Sequence, residues 1–184
     1  MTATSTALAP WQIDAAHTDV EFAVRHLMIS NVKGRFAGVS GMVDYDRSRP
    51  DHLALDVTIS VASVDTRNEQ RDTHLRSADF FDVEHYPEMT FKARRVDGDV
   101  TGEFKLPGEL TIRGVTKPVT FAVTAEGRGD DPWGNERLGF SATAEVHRLE
   151  FGLHYNPALE TGGVVVGDKV KISINTELMR PKPV

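Results

Sequence analysis

Ser63–Phe91, SVDTRNEQRDTHLRSADFFDVEHYPEMTF, is the one stretch of the chain in which strand-like alternation gives way to concentrated charge. Asp65 or Thr66 can accept a backbone N–H as a helix N-cap. Glu69, three residues after Thr66, completes a Ser/Thr-x-x-Glu capping box. A short helix from about Asn68 to Ser77 follows. Leu75, Phe80 and Phe81 give the segment one apolar side, and Arg67, Arg71, Asp72 and Arg76 give it a polar one. With sheet on both sides of it, the segment reads as a helical plug on a β structure.

Outward from this stretch the chain alternates with period two, the mark of strands buried on one face. Upstream, Val20, Phe22, Val24 and His26 share a face, and Leu53, Leu55, Val57, Ile59 and Val61 form the cleanest alternation. Between them a run over 35–45 is interrupted by Gly38 and Gly41, which suggests a bulge. Downstream come Met89, Phe91 and Ala93, then Phe104 with Leu106 and Leu110 with Ile112, then Val119, Phe121 and Val123. Leu138 to Val146 and Val170 to Leu178 close the series. The Asp97-Gly98 dipeptide signals a hairpin, Gly114 another reversal, and Gly127–Glu136 a loop.

That pattern gives about eight antiparallel strands and an all-β fold. Closing them into a barrel removes the sheet edges. At this strand number the interior is either just filled by side chains or just wide enough for one slender guest. The inward positions are Phe22, Val24, Leu55, Val57, Ile59, Phe91, Phe104, Phe121, Phe140, Ile172 and Ile174, so any guest has to be apolar. Periodicity leaves a packed core and an open bore equally possible. In an open bore, burying hydrocarbon contributes about 0.8 kcal/mol per CH₂.

The 184 residues suit one domain, read as residues 11–180 after a disordered lead over residues 1–10. A net charge of -6 and the lack of a basic stripe argue against nucleic acid. Zero cysteines exclude disulfides, thiolate catalysis and Cys-ligated zinc. No window approaches the roughly 20 apolar residues of a spanning helix. MTATSTALAP lacks a signal-peptide pattern, so a cytoplasmic address is the expectation. His147, Glu150 and His154 do not have the spacing of a zinc-hydrolase helix, and no metal or cofactor is expected. No G-x-S-x-G elbow is present, so no catalytic residue is assigned. The rival reading is an enzyme using His17, His26, Asp72 or His74 as acid or base.

Five motifs in order carry a family resemblance. They are Asp14-x-x-His17-Thr18-x-x-x-Phe22-x-Val24-x-His26; Ser63-x-Asp65-Thr66-x-Asn68-x-x-Arg71-Asp72-x-His74-Leu75; Tyr86-Pro87-x-Met89-x-Phe91; Gly108-x-Leu110-Thr111-Ile112-x-Gly114-Val115-Thr116-Lys117-Pro118-Val119; and Arg148, Phe151 and Gly152 with Gly167, Asp168 and Val170. Over Trp11 to Leu178 the chain resembles the YceI-like family of polyisoprenoid-binding, lipocalin-like barrel proteins. Glu150 stands where that family more often has Asp.

The resemblance implies an extended eight-stranded antiparallel lipocalin-like barrel with a short helical segment near one end. It also implies a long-chain isoprenoid or related amphiphilic lipid in the pore, and a homodimer. On that reading the protein is a carrier or store for a polyprenyl phosphate, an isoprenoid quinone or a precursor. His17, His26, Arg71, Asp72, His74 and Arg148 are then the candidates for a polar head group at the mouth, arginine being suited to phosphate by its paired donors. Arg71 and Asp72 equally suit a tie between the helix and a strand end.

Overall fold

The computed structural model describes residues 9–45, 53–157 and 164–182. Of the lead expected to be disordered, residues 1–8 lie outside that set. The strands are β1 (Trp11–His26), β2 (Ser30–Phe36), β3 (Val39–Tyr45), β4 (Leu53–Ser60), β5 (Val64–Asp65), β6 (Glu88–Ala93), β7 (Asp97–Gly98), β8 (Glu103–Ile112), β9 (Val115–Asp130), β10 (Asn135–His147) and β11 (Val166–Pro181). The helix α1 spans Glu69–Arg76, and short 3₁₀ turns occupy Val61–Ser63 and Arg148–Phe151.

Neighbouring strands run antiparallel in the order β11, β10, β9, β8, β6, β4, β3, β1, and β1 pairs again with β11. These eight close a ring, the arrangement expected from the sequence; β2, β5 and β7 are short extensions of it. β2 and β3 are two parts of one long hairpin arm, parted at Ala37-Gly38. β2 faces the second half of β1, and β3 faces its start. Gly38 leaves no room for a Cβ, which would meet Ser60 Cβ at 2.9 Å.

β8 contains Pro107, which has no N–H to give a ladder. Its β6 partners face 108–111 and its β7 partners face Phe104 and Lys105, so the proline falls in the gap between them.

The connections sort to two ends. At the first lie the start of β1, the β9–β10 turn and the end of β11. At the second lie the β1–β2 and β8–β9 turns, the 3₁₀ turn after β10 and the whole α1 segment. The β8–β9 turn has two residues, Arg113 and Gly114, with φ of 49° and 73°. Two left-handed residues in sequence give the twist that a two-residue hairpin needs.

Two turns differ from expectation. Asp97 and Gly98 are themselves paired, and the reversal comes later, where Gly102 N donates to Asp99 O at 3.0 Å. The glycine-rich run 127–130 belongs to β9, paired through Arg128↔Leu138 and Asp130↔Glu136. Only residues 131–134 turn. Ladder pairing with the long β10 outweighs the local preference of these residues.

The core runs from the inner face of the ring to its second end, where Val61 and Phe151 on the 3₁₀ turns and Val64 on β5 are, with Ala93 on β6, the most enclosed members, each 1% exposed. No described helix is long and apolar enough to cross a membrane.

Candidate functional site

All of the inward positions named from the sequence lie within the ring or its flanks. Phe91 and Phe121 are buried, and their rings meet edge to face at 5.0 Å. Phe22, Leu55, Val57, Ile59, Phe104, Phe140, Ile172 and Ile174 are half-buried against the core, and Val24 is half-buried on the same face of β1. The register joins them in rows. Phe22 lies opposite Ile172, Val57 opposite Phe91, Phe91 opposite Leu110, and Ala142 opposite Ile174. The interior wall is therefore apolar from strand to strand, and much of it keeps accessible surface.

The α1 segment covers the second end. Asn68 is its N-cap, accepting from Arg71 N at 2.9 Å; the sequence had pointed to Asp65 or Thr66. Thr66 is instead captured by Asp72, whose two carboxylate oxygens accept from Thr66 N at 2.9 and 3.1 Å and from Thr66 Oγ1 at 2.5 Å. Arg71 donates to the same residue, Nε to Oγ1 at 2.7 Å and a terminal nitrogen to the carbonyl at 2.8 Å. Arg71 and Asp72 thus converge on one threonine and fix α1 to the residue that follows β5.

Below them, Phe81 packs edge-on against Phe36, which in turn meets Phe22 at 5.5 Å. The plug therefore reaches the apolar wall. His74 stacks edge-on with Phe80 at 5.1 Å and Tyr155 at 4.6 Å, and its Nε2 meets Asp79 Oδ2 at 2.9 Å. Arg113, from the β8–β9 turn, donates to Phe80 O at 2.9 Å and Gly152 O at 3.2 Å. This bond set ties the plug to the 3₁₀ turn.

The other head-group candidates are dispersed. His26 ends β1 at this end of the ring, opposite Ser30 and Val166. Arg148 is 4% exposed and gives its donors to backbone carbonyls, those of Gly167 at 2.8 Å, Tyr155 and Val166 at 3.0 Å each, and Leu153. Burial pushes its guanidinium below the ordinary value, with Asp168 acting against that.

His17 stands at the first end, on a wide bulge where Asp14↔Glu177 is followed by Asp19↔Asn175. Asp14 staples the bulge. Its oxygens take Ala16 N at 3.0 Å, His17 Nδ1 at 2.9 Å and an Arg137 terminal nitrogen at 2.7 Å. The same Arg137 nitrogen reaches Glu177 at 2.8 Å. Arg137 and then His17 hold the Asp14 carboxyl down at about 2. Asp14, His17 and Glu177 have the spacing of a metal cluster, but the guanidinium already stands between the two carboxylates as their cation.

The acid or base candidates His17, His26, Asp72 and His74 are not assembled into one constellation, since His17 is at the opposite end from the rest. Sequence reasoning passed over Thr66, Arg137 and Tyr155. Thr66 enters the sequence reading as a cap and as part of a family motif but not as a site residue, and nothing local in the sequence marks the other two.

Comparison with known proteins gives a consistent picture. A family model described as the YceI-like domain matches residues 11–178. The UPF0312 protein of Staphylococcus epidermidis is 37% identical over 171 residues, covering 92% of this chain and 97% of that protein. The Campylobacter jejuni YCEI protein has a similar structure, with a TM-score of 0.71 at 34% identity over 86% of this chain and 90% of that one. A polyisoprenoid binding domain from Saccharophagus degradans shares the fold, with a TM-score of 0.69 at 15% identity over 95% and 99% of the two chains.

Proposed function

This chain belongs to the YceI-like family, and from that premise we propose that it holds a long-chain isoprenoid or related amphiphilic lipid inside its barrel, as a carrier or store. The fold shared with a polyisoprenoid binding domain supports a binding barrel. The observation that carries the proposal is the state of the inner wall. Phe22, Ile59, Phe104, Phe140, Ile172 and Ile174 face the interior of a closed ring, yet each remains only half-buried. A side chain turned inward in a closed wall keeps accessible surface where the interior is unfilled. Apolar surface left open in this way is covered favourably by hydrocarbon, at about 25 cal/mol per Å². Phe91 and Phe121 narrow the bore at their own level, which suits a slender chain better than a broad ring system.

Phe140→Asp tests the reading. A carboxylate at that position costs several kcal/mol against an apolar guest unless it finds a partner. Organic extraction and native mass spectrometry of the purified wild type should recover an apolar chain, and the folded variant should carry none. Equal lipid in a variant with wild-type circular dichroism would remove the lumen as the site.

A further inference from the structure

We propose that Lys117 is the anchor for the guest's polar end, and that this end is anionic, a phosphate or carboxylate on a single apolar chain. The inference rests on the lumen reading above. Lys117 lies on β9 directly opposite Leu110, which is 6% exposed, and Leu110 lies opposite Phe91. Residues opposed in an antiparallel ladder project from the same face, so the lysine belongs to the inner row with Val115, Val119 and Phe121. Pro118 follows it and favours extended backbone at Lys117, which fixes that direction. It is two residues in from Val115, where β9 leaves the Arg113-Gly114 turn, roughly 7 Å below the rim at about 3.3 Å per residue.

Lys117 is half-buried, and among the described residues no carboxylate, carbonyl or hydroxyl bonds to its ammonium. By contrast, the ionic groups where β10 and β11 meet the first end satisfy one another: Glu136 binds Arg180 at 2.7 Å and also Arg128. Among the described residues no buried side-chain nitrogen lacks a partner, so the Lys117 ammonium retains access to solvent. An unpaired cation among Leu110, Val115 and Val119 thus faces space that a ligand can enter. Its attraction for an anion is greater there than in bulk water, because the surrounding wall lowers the local dielectric. The alkyl stem meanwhile continues the apolar wall.

The test uses delipidated protein and three probes: geranylgeranyl phosphate, geranylgeraniol and inorganic phosphate. Wild type should bind the lipid phosphate more tightly than the alcohol, and inorganic phosphate should not compete. Lys117→Met keeps the stem without the charge. It should lower affinity for the lipid phosphate by about ten-fold or more, the scale of one charge-assisted hydrogen bond, and leave the alcohol unchanged. Lys117→Arg should restore most of the loss.

If Lys117→Met binds both lipids as the wild type does, the anchor assignment falls while the lumen reading stands. If inorganic phosphate competes as well as the lipid phosphate, the amphiphile assignment falls. If neither lipid binds the wild type, the lumen reading falls and the anchor with it.

Discussion

Asp14 shows how much of the polar signature serves architecture. It joins a strand bulge, a histidine and an arginine from a strand more than a hundred residues away. Its folded carboxyl, at about 2, lies below the ordinary 3.8. A depressed acid contributes stability above its unfolded value, and that contribution is lost as pH falls through the folded one. Thermal melts should therefore weaken between about pH 4 and pH 2. In Asp14→Asn that component should be missing, with a lower melting temperature at pH 6. An identical pH profile in the two proteins would show that the network around Arg137 does not hold the bulge. Thr66 has the corresponding role at the other end, where Asp72 and Arg71 both close on it.

Among the elements, α1 is the most sensitive to one residue. Asn68→Ala removes the bond to Arg71 N and should cost about 1 kcal/mol in urea unfolding. The same change at Thr66 acts through Asp72 and not through helix capping. The helix, the alternating strands and the Gly114 reversal were legible because each follows a local rule. Its start was not, since Thr66-x-x-Glu69 and Asn68 both satisfy such a rule and only the long reach of Asp72 to Thr66 decides between them. Gly127 to Asp130 misled for the same reason: their turn preference is local, and their partner strand is not.

The apolar wall was readable by period two. Lys117 obeyed that period as well, two residues before Val119, but charge made it look like a surface residue. Arg148 could not be told from a ligand-binding arginine by sequence, because its partners are backbone carbonyls.

At the scale of the molecule, what matters is that the first and last strands are neighbours. β1 and β11 pair from Gln12↔Met179 to His26↔Val166. Ending the chain after Asp168 leaves only the His26↔Val166 pair of that seam and should abolish cooperative unfolding altogether, as followed by circular dichroism in urea. A retained sigmoidal transition would mean that seven strands hold themselves. Trp11 sits at this seam, 7% exposed, with the Arg180 guanidinium 4.2 Å above its ring, whereas Trp133 is 80% exposed. In a Trp133→Phe background the remaining indole reports closure directly.

The seam also bears on biosynthesis. A ribosome must release β11 before β1 gains this neighbour, so the nascent sheet waits with two unsatisfied margins, each a template for foreign strands. Joining the extremes of so long a loop makes maturation slow relative to local hairpin zippering. Exposure of strand margins before closure follows from the same topology that, once complete, joins β11 back to β1.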